Sequence, residues 1–144
     1  MIPRSVCANA DNVLIKNLVH VYLKMRARFC YRRPMKPIKD ASHLYDVERR
    51  AYHAERPGFR ISELQISPTQ SVPWHCHTNI QDTFYVLEGN VRLFLREPKE
   101  EVPLNPGDTY SVRPMRPHLV TNDGEGSATF LVLQGIGEYD YVPL

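Results

Sequence analysis

Residues 75–89 read His-Cys-His-Thr-Asn-Ile-Gln-Asp-Thr-Phe-Tyr-Val-Leu-Glu-Gly. On a strand, the i and i+2 spacing sends His75 and His77 to one face and Cys76 to the other. Two nitrogen donors on one rigid surface make half a site for a divalent transition metal. Asp82, five residues on, is a hard oxygen donor. Histidine pairs at this spacing are more often surface or hydrogen-bonded groups, so the pair alone does not establish a metal. The stretch continues as a strand, Thr83 to Leu87, and ends at Glu88-Gly89-Asn90. That is a hairpin turn in which glycine supplies a backbone angle most residues avoid.

Strand signals extend on both sides. Phe59 to Ile66 alternates apolar and polar residues, Ser67-Pro68-Thr69-Gln70 is a turn, and Val72 to His77 is the next strand. Val91 to Arg96 follows the hairpin turn, and Asn105-Pro106-Gly107-Asp108 opens a strand from Thr109 to Arg113. His118 to Thr121 and Ala128 to Gln134 are separated by the turn at Asn122 to Gly126. Seven or eight short strands with regular turn signals predict an all-β antiparallel sandwich or barrel. Residues 41–55 read as helix or loop. Twelve prolines against seven glycines argue against a helical bundle.

Residues 75–89 resemble the first motif of the cupin superfamily, G(x)5HxH(x)3–4E(x)6G, with four residues between His77 and Asp82 and six between Asp82 and Gly89. Residues 106–122, Pro-Gly-Asp-Thr-Tyr-Ser-Val-Arg-Pro-Met-Arg-Pro-His-Leu-Val-Thr-Asn, resemble the second, G(x)5PxG(x)2H(x)3N. Gly107, His118 and Asn122 fall in register, and seventeen residues separate Gly89 from Gly107. The resemblance covers about residues 55–135. It implies an antiparallel double-stranded β-helix, or jelly-roll barrel, in which His75, His77, Asp82 and His118 converge on one metal. Three imidazoles and a carboxylate leave one or two positions open and suit iron, manganese, nickel or zinc about equally.

Three positions depart from the family pattern. Asp82 stands for Glu and is a methylene shorter, so it reaches a metal through a water or by a closer backbone. Gln81 is a rival donor, although the spacing favours Asp82. Arg113 stands for Pro, and Met115 stands for Gly, which is tolerable if the turn needs no positive φ. Arg113 and Arg116 flank the His118 strand and are candidates to pair with a ligand carboxylate or phosphate, against a reading as solvated surface groups. Tyr85 and Tyr110 are further substrate-binding candidates and, with a metal-bound water, candidates to move a proton. Cys76 reads as a buried, inert neighbour of the ligands.

The 144 residues accommodate one domain and a tail, and 42% hydrophobic with 24% charged residues excludes a wholly disordered chain. No apolar run is long enough to span a bilayer. Residues 1–40 carry nine Lys/Arg against two Asp, while the remainder carries nine against fourteen Asp/Glu. Residues 1–37 therefore read as a basic N-terminal extension and 38–144 as the barrel domain. In the extension the charge follows the apolar patch, the reverse of a secretory signal. A transit peptide, a basic amphipathic helix and an over-long gene start before Met35 are each consistent with it. The acidic remainder offers no basic face, so nucleic acid is not an expected partner. Three widely spaced cysteines without a CxxC pair point to a reducing cytoplasm.

The expected function is a metal-dependent isomerase, lyase or dioxygenase acting on a small polar metabolite: a carboxylate, an enolisable carbonyl or a sugar acid. The alternative is a non-catalytic barrel that binds or senses a small molecule; a metal-free epimerase-like barrel fits the full ligand set less well. The resemblance also implies a homodimer, with residues 35–66 the expected participants.

Overall fold

Ten strands appear in the computed structural model, which describes residues 38–144. They are β1 (Arg49–Arg56), β2 (Phe59–Ile66), β3 (Ser71–Cys76), β4 (Gln81–Glu88), β5 (Val91–Leu95), β6 (Glu100–Leu104), β7 (Thr109–Val112), β8 (His118–Asn122), β9 (Ala128–Gly135) and β10 (Val142–Pro143). Two five-stranded antiparallel sheets result, ordered β1-β2-β9-β4-β7 and β10-β3-β8-β5-β6. The described residues contain no helix. The expected all-β barrel is therefore present. The basic extension, residues 1–37, lies outside the described residues.

Residues 41–55 differ from the reading as helix or loop. Turns and bends fall at 42–45 and 48, and β1 then pairs with β2 from Arg49 opposite Gln65 to Arg56 opposite Phe59. β1 hides from sequence patterning because it is an edge strand rich in charge, Arg-Arg-Ala-Tyr-His-Ala-Glu-Arg. Charged edges discourage pairing with a second chain. β6 is also an edge strand, and its Pro103 fits there because an edge leaves one row of ladder donors unused.

Alternation along the strands sorts the interior into two ends. On β4 the buried residues are Asp82, Phe84 and Val86, and on β8 they are His118 and Val120. β9 buries Phe130, Val132 and Gln134, while β2 turns Arg60, Ser62 and Leu64 into one cavity. Each of these strands thus carries polar groups at one end and apolar ones at the other. The apolar ends join Ile66, Val72, Val91, Leu93, Leu95, Leu104, Val112 and Ala128 in a single core. The polar ends collect together. On β2 the inward set is not the apolar set of the simple alternation, for Phe59 is exposed on the other face.

The predicted turns form as expected. Gly89 has φ 72° between β4 and β5, and Gly107 has φ 91° between β6 and β7. Asn122, the last residue of the second motif, ties β8 to neighbouring chain: its Nδ2 donates to the Ile66 and Gly126 carbonyls at 3.0 and 2.7 Å. Met115 is different from its expectation. It has φ 65°, so the turn does need the left-handed conformation that glycine adopts freely. Its N–H donates to the His77 carbonyl at 2.7 Å, which couples this turn to the polar end of the barrel. A left-handed non-glycine residue costs about 1–2 kcal/mol, and glycine loses about 0.5–1 kcal/mol through greater unfolded-state freedom. Met115→Gly is therefore expected to leave stability unchanged or raise it by up to about 1 kcal/mol in denaturant titrations.

Candidate metal centre

His75 and His118 lie opposite one another on β3 and β8, and Asp82 reaches in from β4 of the other sheet. His77 follows directly after β3. All four side chains are buried, and one ligand atom from each lies within 4.8 Å of the others. Metal bonds of about 2.0–2.2 Å put ligand atoms no more than about 4.4 Å apart, so closure requires a few tenths of an ångström. The shorter acidic side chain still reaches: Asp82 Oδ2 is 3.0 Å from His77 Nε2 and 3.4 Å from His118 Nε2.

Each imidazole is oriented by a backbone carbonyl. His75 Nδ1 faces Pro73 O at 2.7 Å, His118 Nδ1 faces Arg116 O at 3.0 Å, and His77 Nδ1 faces Asp140 O. A carbonyl oxygen only accepts, so each Nδ1 carries the proton. The neutral rings then turn bare Nε2 lone pairs toward the cluster. His118 Nε2 has no hydrogen-bond partner although it is fully buried. Buried acceptors aimed at one another and at a carboxylate are costly without positive charge among them. A divalent cation fits that donor set, and such carbonyl-fixed tautomers are the usual support for histidine ligands.

Electrostatics agree. Burial and the adjoining His118 and His77 rings hold His75 well below the usual imidazole range. Burial opposes charge on His77, but the Asp82 carboxylate beside it and the Asp140 carbonyl lift it above that range. Burial pushes Asp82 up, yet His77 and His118 outweigh it and keep the carboxyl well below the usual carboxylate range.

Asp82 is held by a chain of side chains at one level of the sheet. Arg60, Gln134 and Asp82 are opposite one another on β2, β9 and β4. Arg60 Nε and Nη2 donate to Gln134 Oε1 at 2.8 and 2.5 Å, and Gln134 Nε2 donates to Asp82 Oδ1 at 2.9 Å. That leaves Oδ2 for the cluster. The C-terminal segment closes the other side. β10 pairs with His75 and Cys76, Asp140 accepts from Thr78, and Tyr141 stacks on His75 with centroids 4.4 Å apart.

A narrow cavity of about 40 Å³ opens beside the cluster. His75, His77 and Asp82 form its base, and Arg50, Arg60, Tyr139 and Tyr141 stand among its walls. Burial pushes the Tyr139 phenol up to about 12 and the Tyr141 phenol higher still. These wall residues were not apparent as site residues in the sequence. Tyr139 and Tyr141 lie beyond the second motif, and Arg50 sits in a strand that resembled a loop.

The other residues singled out from the sequence lie elsewhere. Gln81 is exposed and donates to Thr83 Oγ1 at 3.2 Å. Arg113 is exposed and donates to the Glu97 carbonyl at 3.2 Å. Arg116 is buried rather than solvated, in an ion pair with Glu100 at 2.6 Å and a hydrogen bond to Tyr110 Oη at 3.1 Å. Tyr85 is on the exposed outer face. None of these lines the cavity. Cys76 is fully buried, as expected of a neighbour of the ligands.

Comparison with known proteins bears on this arrangement. A double-stranded β-helix protein from Klebsiella pneumoniae is 19% identical, with TM-score 0.58 over 81% of this chain and 90% of that one. A cupin-2 domain protein from Shewanella frigidimarina is 16% identical, with TM-score 0.52 over 65% and 86%. Oxalate decarboxylase from Lactobacillus farciminis, in a formate complex, is 17% identical, with TM-score 0.56 over 60% of this chain and only 27% of the enzyme. At these identities the likeness is one of fold. No curated protein matches significantly. Residues 62–139 match the Cupin domain family. With more than half of the sequence matched and both motifs set on the strands the fold demands, the chain belongs to the cupin family.

Proposed function

We propose that this protein is a metal-dependent enzyme acting on a small polar metabolite through one divalent transition metal held by His75, His77, Asp82 and His118. The observation that carries the reading is the burial of three Nε2 atoms and one carboxylate oxygen facing a common point, with every Nδ1 committed to a carbonyl. Iron, manganese, nickel and zinc all suit such donors. A metal there supplies Lewis-acid stabilisation of negative charge developing on a substrate oxygen, a shared need of isomerase, lyase and dioxygenase chemistry.

The chain's own groups do the positioning. Gln134 and Arg60 fix the Asp82 carboxylate, and the narrow cavity limits water. Tyr139 and Tyr141 keep their protons at neutral pH and act as donors rather than bases. Tyr85 and Tyr110, the sequence candidates for moving a proton, do not line the cavity. The formate held by the oxalate decarboxylase neighbour is compatible with a small acid here.

Removal of metal tests the reading. A cation present at 100–1,000 times its dissociation constant stabilises the folded state by about 2.7–4.1 kcal/mol. Chelation should therefore lower the melting temperature by about 10 °C or more, and one equivalent of metal should restore it. Purified protein that carries no transition metal and does not respond to added metal would remove the proposal. Retained metal without turnover of carbonyl, carboxylate or sugar-acid substrates would favour the non-catalytic alternative.

A homodimer belongs to the same reading, supported by Phe59, a large apolar residue exposed on the outer face of β2. Light scattering that finds only the 16.7 kDa chain would remove it. No described helix is long and apolar enough to cross a membrane. A cytoplasmic location, expected from the three widely spaced cysteines, belongs to the same reading, and fractionation of cells would decide it.

A further inference from the structure

Among the described residues, three buried side-chain polar atoms lack a hydrogen-bond partner: His118 Nε2, Arg50 Nη2 and Tyr141 Oη. The first belongs to the metal centre. The other two are donors, and both residues line the cavity beside that centre. A ladder of rings connects them. Tyr141 stacks on His75 at 4.4 Å and on Tyr45 at 6.3 Å, and the Arg50 guanidinium lies over Tyr45 at 4.9 Å.

Unpaired buried donors are costly, a charged one most of all. Arg60, the other arginine of the cavity, is committed to Gln134 and lies over Tyr139 at 3.7 Å. Among the described residues the Arg50 guanidinium has only its ring contact. The acidic groups lining the cavity are Asp82, held by Gln134, and Asp40, whose Oδ1 accepts from the Ser42 N–H at 2.9 Å. Asp40 feels the field of Arg50 without forming an ion pair with it. One cation and one hydroxyl donor in a narrow cavity suit a planar carboxylate, whose two oxygens accept from groups of both kinds. The small volume disfavours sugar nucleotides and other bulky anions.

We infer that Arg50 and Tyr141 form the anion subsite of this cavity and take the carboxylate of a short-chain organic acid, leaving its other end toward the metal centre. The inference rests on the proposed function for that orientation, but the subsite itself consists of protein donors. It is therefore testable with and without metal.

Pyruvate is the probe, with its neutral amide and inorganic phosphate as comparisons, and binding is measured calorimetrically on the full chain. Arg50→Gln is expected to weaken pyruvate binding at least tenfold and Tyr141→Phe several-fold, with metal content unchanged and Arg50→Lys recovering part of the loss. Pyruvamide should bind at least tenfold more weakly than pyruvate to the wild type. Tyr141→Phe should also raise the melting temperature of the ligand-free protein by a few degrees, because it removes an unpaired hydroxyl. Equal pyruvate affinity in wild type and Arg50→Gln, Arg50-dependent binding of phosphate but not pyruvate, or no pyruvate binding to metal-loaded and metal-free wild type would each overturn the inference. Loss of metal binding alone, with Arg50-dependent pyruvate binding intact, would count against the proposed function and not against this subsite.

Discussion

His118→Ala is expected to lower bound transition metal from about one per chain to less than a tenth of that, measured by elemental analysis after dialysis against metal-free buffer. His118 is 1% exposed and its Nε2 has no partner other than the point it shares with His75, His77 and Asp82. Removing it deletes one of four donors. The loss should exceed the roughly 10–100-fold that removal of a supporting partner causes, which is the effect expected for Gln134→Leu beside Asp82. The metal-free form provides the folding control. Truncation leaves a small void but also removes an uncompensated acceptor, so metal-free His118→Ala should fold and melt cooperatively while gaining no stability from added metal. A variant that retains full metal content would place the site elsewhere.

Gly89→Ala is expected to destabilise the barrel by about 2–5 kcal/mol, read as a lower denaturation midpoint. Two independent costs combine. The left-handed conformation at φ 72° costs an alanine about 1–2 kcal/mol. A Cβ at this position would also lie 2.7 Å from the Ser127 carbonyl oxygen and 2.8 Å from Ala128 Cα. Those are backbone atoms of the start of β9, so the clash is relieved only by shifting the strand. Against a typical total of about 5–15 kcal/mol, this is a large fraction of the stability. Gly107 is the comparison: its φ is 91°, but a Cβ there meets nothing within 4 Å, so Gly107→Ala bears the conformational cost alone.

The two glycines and the histidine pair were legible in the sequence from local patterns, whereas Asp82 and His118 joined that pair only through the resemblance to the two cupin motifs. His75 and His77 share a strand face by spacing, Gly89 closes a short turn, and His118 opens a strand marked by the turn before it. The cavity walls were not legible, for three physical reasons. β1 is an edge strand whose charged residues erase the alternation, so Arg50 resembled a loop residue. On β2, Phe59 lies on the exposed face and Leu64 and Ile66 on the buried one, so a count of apolar positions could not mark Arg60 as inward. Tyr141 depends on β10, a two-residue strand held by pairing to β3, with no periodicity to read. Arg116 misled for a related reason: an arginine beside a histidine ligand resembles a ligand-binding group, whereas its partner Glu100 comes from an edge strand without a sequence signature.

X-ray absorption of the metal-loaded protein reads the ligand set of the centre itself. With His75, His77, Asp82 and His118 as ligands, the expected spectrum has nitrogen and oxygen at about 2.0–2.2 Å with outer scattering from three imidazole rings. Sulfur at about 2.3 Å, or fewer than three imidazoles, would contradict it.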